Sequence, residues 1–116
     1  MTVRRLLLGA ALAAAVASTA APPAWAQCDT RFVLRNASGM QVNEFYFGHS
    51  SNPNWGADQL GADVLPNGAS RRWSAARAGQ HDFKVVWSNG QHAELMRVDI
   101  CSASEIVATR GGLEAR

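Results

Sequence analysis

The dipeptide Asn89-Gly90 is the feature that most limits what this chain can fold into. It lies between two runs of β-type residues, 82–88 and 91–100. Asn-Gly is a preferred centre for a two-residue hairpin turn, because both central positions of that turn need positive φ. The sequence therefore predicts an antiparallel hairpin with a fixed register. The expected pairs are Ser88–Gln91, Trp87–His92, Val85–Glu94 and Phe83–Met96.

Further short β-type runs are separated by turn residues, and no segment has a helical period of useful length. These runs are 30–35, 42–47, 69–74 and 105–108. Regularly spaced short strands are typical of sandwiches and barrels. We therefore expect an all-β fold, a small antiparallel β-sandwich of about six strands, over residues 27–109. Residues 110–116, which begin Arg110-Gly111-Gly112, are expected to form a flexible tail.

Residues 1–26 have the three parts of a secretory signal peptide. Arg4-Arg5 lead into an apolar, Ala-rich run, and Ala24-Trp25-Ala26 supplies the small residues of a cleavage site. The apolar run is shorter than the roughly 20 residues of a spanning helix, and Pro22-Pro23 follows it. We expect cleavage after Ala26, a periplasmic or secreted product and no membrane span in that product. The arginine pair fits both an ordinary export signal and a twin-arginine signal.

Cleavage would change the charge balance of the chain. Loss of Arg4 and Arg5 leaves nine basic against nine acidic residues, so the formal net charge falls from +2 to zero. Affinity for nucleic acids depends largely on neutralising phosphates, and a neutral domain without a basic cluster does this poorly. The sequence therefore predicts no nucleic-acid partner.

Two cysteines, Cys28 and Cys101, lie in the exported part of the chain. One pair of cysteines in a small exported domain is best explained by a disulfide bond, because the destination is oxidising. Closing a loop of this length stabilises a fold by roughly 4.4 kcal/mol in the chain-entropy model. We therefore expect a Cys28–Cys101 disulfide that contributes much of the stability.

Enzyme motifs are absent from the sequence: it has no Gly-x-Ser-x-Gly, no phosphate-binding Gly-rich loop and no His-Glu-x-x-His. The histidines at 49, 81 and 92 do not have the spacing of metal ligands. We expect no catalytic residue, no metal site and no cofactor. The sequence favours an exported, non-catalytic binding or envelope-associated module whose partner is a protein or glycan of the cell envelope. A small hydrolase, or an inhibitor of one, is an alternative, since His81-Asp82 supplies half of a triad.

The polar stretch 49–61 is the best candidate for function, because loops of this length are uncommon in compact domains and often bind ligands. Its candidate ligand residues are Asn52, Asn54, Trp55 and Asp58. Trp55 could stack on a sugar or another flat ligand, which would make the chain a carbohydrate- or small-molecule-binding domain. A second alternative is a Ca²⁺ site with oxygens from Asn52, Asn54, Asp58 and Asp63. The preferred hypothesis is that Trp55 folds inward beside Leu60 and Leu65 and closes one end of the sandwich.

Three stretches together carry a resemblance to known proteins. They are Phe45-Tyr46-Phe47, the pair Trp55-Gly56-x-Asp58-x-Leu60-Gly61 and Leu65-Pro66-x-Gly68, and Val98-Asp99-Ile100-Cys101. The set resembles a group of small exported bacterial proteins of unknown function and covers most of the exported chain. The resemblance implies a β-sandwich and brings no catalytic residues with it.

Overall fold

The structure, a computed structural model, describes residues 28–116, so the expected signal peptide lies outside the described residues. Residues 28–116 form seven strands in two sheets and no helix, which confirms the all-β prediction. No helix in this range is long and apolar enough to cross a membrane. The strands are β1 (Arg31–Asn36), β2 (Val42–His49), β3 (Ser70–Ser74), β4 (Gln80–Trp87), β5 (His92–Asp99), β6 (Glu105–Thr109) and β7 (Gly112–Ala115).

The two sheets have different sizes and strand orders. One sheet has four strands in the order β3-β1-β6-β7, and the other has three in the order β2-β4-β5. All pairs are antiparallel except β1 with β6, which run parallel. A parallel pair needs a long connection, and here the three-stranded sheet lies within that connection.

The core between the sheets is built on aromatic side chains from both layers. Phe32 of β1 meets Phe83 of β4 edge to face at 5.4 Å between ring centroids, and Phe45 of β2 lies 6.3 Å from Phe32. These three rings are at most 2% exposed. Strand alternation therefore sends the residues beside them, such as Tyr46 and Lys84, to the outer face of the three-stranded sheet.

The β4–β5 hairpin exists as predicted, but its predicted register is wrong by one residue. Gly90 N–H donates to the Trp87 carbonyl at 2.9 Å, and Trp87 N–H donates to the Gln91 carbonyl at 2.8 Å. Only the glycine of the Asn-Gly pair has positive φ, at 86°. The loop therefore has three residues, a turn followed by a glycine bulge, instead of two. The observed pairs include Val86–His92, Lys84–Glu94 and Phe83–Leu95, so Trp87 does not face His92.

The expected flexible tail is also wrong, because its residues form β7. β7 pairs antiparallel with β6, with Ala108 opposite Leu113 and Thr109 opposite Gly112. Leu113 is half-buried and packs against the core, and this contact explains why the segment forms a strand. Arg110-Gly111 thus forms a turn between two strands rather than the start of a tail.

The Cys28–Cys101 disulfide is present, with Cα atoms 5.0 Å apart. Its two cysteines do not lie on neighbouring strands of one sheet. Cys28 precedes β1 in the four-stranded sheet, and Cys101 follows β5 in the three-stranded sheet. The bond therefore joins the two layers of the sandwich at one end.

Candidate functional site

The outer face of the three-stranded sheet carries a row of polar and aromatic side chains. Register places Tyr46 of β2 beside Lys84 of β4, and Lys84 beside Glu94 of β5. Because strand residues alternate between faces, these three side chains point away from the core. The next row toward the end of the sheet pairs Gly48 with Asp82. The glycine has no side chain, so it leaves an open space on this face.

The loop after β2 is fixed to the edge of that strand. The Asp58 carboxylate accepts hydrogen bonds from the amides of Phe45 and Leu60, each at 2.9 Å. Gln59 N–H donates to the Phe45 carbonyl at 2.6 Å, and Leu65 exchanges two backbone hydrogen bonds with Val42. Residues 58–65 therefore cover an edge that would otherwise have unpaired backbone groups.

Trp55 does not close the sandwich, contrary to the preferred hypothesis. It is half-buried, whereas Leu60 and Leu65 are 3% and 4% exposed and belong to the core. These two leucines fill the position that we expected the indole to take. Trp55 packs instead on the outer face of the sheet, with its ring centroid 6.4 Å from that of Tyr46.

Lys84 lies against both of these rings. Its Nζ atom is 5.7 Å from the Tyr46 centroid and 5.9 Å from the Trp55 centroid, within the range of cation–π attraction. The Tyr46 hydroxyl donates to Glu44, and this hydrogen bond, with burial, raises the pKa of Tyr46 to about 12. The tyrosine is therefore neutral and fixed in orientation at physiological pH, and it supports the lysine and the indole.

A cleft of ≈ 280 Å³ lies beside Trp55. The indole lines it together with Asn52 and Asn54, so three of the four candidate loop residues meet at one place. The fourth, Asp58, anchors the loop from behind and does not line the cleft. The other lining residues are Gly48, His49, Ser50, Pro53, Asp82, Glu94, Met96 and Arg97. The cleft therefore combines an aromatic side with amide, carboxylate and guanidinium groups.

A β-bulge shapes the floor of this cleft. The pairing of β4 and β5 shifts at Asp82, and Arg97 opposite it has φ 58°, a value that non-glycine residues seldom adopt. The Asp82 carboxylate accepts from Arg97 N–H at 2.9 Å and from the Ser50 hydroxyl at 2.7 Å. Strained backbone of this kind persists where surrounding contacts determine it, and it is frequent at binding sites.

His49 lies at the rim of the cleft beside His81, with ring centroids 5.2 Å apart. Its Nδ1 atom is 2.7 Å from the Ser51 hydroxyl and accepts from Ser51 N–H at 3.2 Å. Burial and, after it, the positive charge of Arg77 lower the pKa of His49. The ring is therefore neutral near pH 7 and orders the first turn of the loop.

The calcium alternative finds no support in these contacts. The Asn52 side-chain oxygen accepts from Asn54 N–H, the Asp58 oxygen accepts from two amides, and Asp63 lies 3.7 Å from Arg71. Within residues 28–116, no three His, Cys, Asp or Glu side chains are grouped as metal ligands. The loop oxygens are used to build the loop.

Serine, histidine and aspartate side chains do meet at the cleft rim, which bears on the hydrolase alternative. A catalytic triad needs serine bonded to histidine and that histidine bonded to the carboxylate. Here His49 contacts Ser51, whereas Asp82 contacts Ser50 and the backbone of Arg97. His81 is 2% exposed, and its ring lies 3.0 Å from the Gly79 carbonyl. These contacts therefore do not have the order of a catalytic triad.

A larger groove of ≈ 720 Å³ runs along β1 and β3. Two of its three charged residues, Asp29 and Arg31, form an ion pair with each other at 2.8 Å, and the third is Arg72. Its aromatic residues are Phe32, which belongs to the core, and Trp73, which packs against the core. No residue of the loop 49–61 lines it. The Trp55 cleft is therefore the better candidate site.

Sequence reasoning missed the residues that the sheet contributes to the site, namely Tyr46, Lys84, Asp82, Glu94 and Arg97. The alternation of Tyr46 with the core residues Phe45 and Phe47 is a signal that could have placed it on the outer face. The pairing of Lys84 with Glu94 was not predicted, because the expected register placed Glu94 opposite Val85. No sequence signal marks Arg97 as the residue with positive φ.

Comparison of this chain with protein-family models, with curated proteins and with solved structures finds no match. The resemblance to small exported bacterial proteins stays a prediction.

Proposed function

We propose that this chain is an exported, non-catalytic binding module that holds a small saccharide in the Trp55 cleft. The observation that carries the proposal is that a half-buried indole lines a concave surface together with polar side chains. The apolar faces of sugar rings pack on aromatic rings, while their hydroxyl groups need several convergent hydrogen-bonding partners. Aromatic and polar groups of this kind are what small-molecule sites usually combine.

The polar groups of the cleft support a ligand rich in hydroxyl groups. Asp82 and Glu94 can accept hydrogen bonds, and Arg97 and the side-chain NH2 groups of Asn52 and Asn54 can donate them. At ≈ 280 Å³ the cleft is slightly smaller than the sites of about 300–1,000 Å³ that hold drug-sized ligands. These features suit one or two sugar units rather than a long chain.

The location that we propose is the periplasm or the exterior of the cell. A disulfide bond between the two sheets fits an oxidising compartment, and the sequence of residues 1–26 predicts export. The proposed partner is accordingly a glycan of the cell envelope or its soluble fragment.

Substitution of Trp55 tests the proposal. Trp55→Ala should weaken binding of glucose or a glucose disaccharide at least about tenfold, and Trp55→Phe should retain most of it, because a ring remains. Binding is measured by calorimetry and by NMR shifts of the Asn52, Asn54 and Arg97 amides. The indole is half-buried, so Trp55→Ala should lower the free energy of unfolding by only about 1–2 kcal/mol.

Met40→Ala is the matched control, because it removes an exposed apolar side chain near Trp87, away from the cleft. It should leave saccharide binding unchanged. Equal loss of affinity in the two alanine variants, or binding by the wild type that Trp55→Ala does not reduce, would rule out the cleft as the binding site.

A further inference from the structure

Among residues 28–116, Lys84 is the one cation within cation–π distance of Tyr46 and Trp55. Its neighbour across the strand pair is Glu94, yet these two side chains form no ion pair among residues 28–116. The ammonium group lies instead over the rings of Tyr46 and Trp55. Lys84 thus belongs to the support of the indole although it does not line the cleft.

This contact has a mechanical consequence for Trp55. The indole belongs to a loop and is only half-buried, so the sheet holds it through its contacts with Tyr46 and Lys84. A cation–π contact at a partly exposed site attracts enough to reduce the rotation of such a side chain. A ring that is held in one orientation loses less entropy when a ligand stacks on it.

The same contact has an electrostatic consequence. The ammonium already interacts with the π-system of the indole, so a second cation on this ring would meet repulsion as well as weakened attraction. At a separation of about 9 Å in a water-like medium, this repulsion alone lowers affinity about twofold. Asp82 and Glu94 present carboxylates on the other side of the cleft, where they oppose anions and attract cations. Lys84 therefore offsets part of their attraction for a cationic sugar.

We infer that Lys84 is the residue that positions Trp55 and shifts the selectivity of the cleft from an amino sugar toward an uncharged sugar. The inference rests on the proposed function, since it names the ligand class of the same cleft. Lys84 acts through the indole and does not need to touch the ligand.

The test compares three sugars of similar shape and different charge: glucose, glucosamine and glucuronate. In the wild type, glucose should bind more tightly than glucuronate, because the cleft presents two carboxylates. Lys84→Met keeps the length of the side chain and removes its charge. It should weaken glucose binding and lower the ratio of glucose to glucosamine affinity about twofold, whereas Lys84→Arg should preserve the wild-type ratio.

Arg72→Met is the matched control, because it removes one positive charge from β3 in the other sheet. It should leave the affinity ratio at the wild-type value, which separates a local effect of Lys84 from a change in net charge. Thermal melts of all variants establish that the measured proteins are folded.

The outcomes separate the inference from the proposed function. An unchanged ratio of glucose to glucosamine affinity in Lys84→Met, or glucose binding that this variant does not weaken, would overturn the role of Lys84 and leave saccharide binding intact. Failure of all three sugars to bind would refute the saccharide proposal and this inference together.

Discussion

Replacing Asp58 with alanine should lower the free energy of unfolding by about 2–3 kcal/mol. One carboxylate oxygen accepts from the amides of Phe45 and Leu60, each at 2.9 Å. A hydrogen bond to a charged acceptor contributes about 1.5–3 kcal/mol, and an amide that loses its partner in a partly buried position adds a desolvation cost. Water can reach this sheet edge after the substitution and bind the two amides, so the expected loss of stability is smaller than the sum of two such hydrogen bonds.

Asp58→Asn separates the hydrogen bonds from the charge. The asparagine keeps an oxygen in the same position and can accept from both amides, so it should cost only about 1 kcal/mol or less. Both variants are measured by urea unfolding, followed by tryptophan fluorescence and circular dichroism, with the disulfide intact. Saccharide binding should persist in Asp58→Asn, because Asp58 does not line the cleft.

Asp63→Ala is the matched control in the same loop. The Asp63 side chain is 77% exposed and lies 3.7 Å from Arg71, so its removal should change stability by no more than about 0.5 kcal/mol. Asp58 does not anchor the loop if the free energy of unfolding of Asp58→Ala stays within about 0.5 kcal/mol of the wild-type value. The two hydrogen bonds are likewise not the source of the stabilisation if Asp58→Asn is as destabilising as Asp58→Ala.

Two further predictions concern stability. Replacing Cys28 and Cys101 together by alanine should lower the free energy of unfolding by about 2–5 kcal/mol, and an unchanged urea midpoint would contradict this. Thermal stability should fall as the pH is lowered through about 6.5. The pKa of His49 is lower in the folded protein than in the unfolded chain, so on acidification the unfolded chain binds a proton at His49 first and is stabilised. In His49→Gln, the melting temperature should depend less on pH in this range. If the melting temperature changes with pH as it does in the wild type, His49 is not the cause.

The hairpin illustrates how far the sequence alone could lead. Asn89-Gly90 predicted its place correctly, because a residue with positive φ is needed wherever two strands turn back sharply. It did not predict the register, since the same dipeptide also fits a three-residue loop in which only Gly90 has positive φ. The choice between these turns depends on packing of Trp87 and its neighbours, which is a tertiary property.

The candidate site divides in a similar way. Loop length and composition singled out Asn52, Asn54 and Trp55, which the structure places in the lining of one cleft. The side on which Trp55 packs was not predictable, since Leu60 and Leu65 compete for the same core volume and are smaller. The disulfide was predictable from counting alone, because two cysteines allow one pairing.

The position of β1 has a consequence for how the chain folds. β1 lies between β3 and β6, so its two partners begin at Ser70 and Glu105, far along the chain. Strand pairings over such distances fold slowly, on a scale of milliseconds to seconds, because the connecting chain must first lose much of its freedom. The four-stranded sheet is completed only after β6 has been synthesised, and Cys101 lies just before β6 in the chain. Completion of this sheet and formation of the disulfide therefore both need nearly the whole chain.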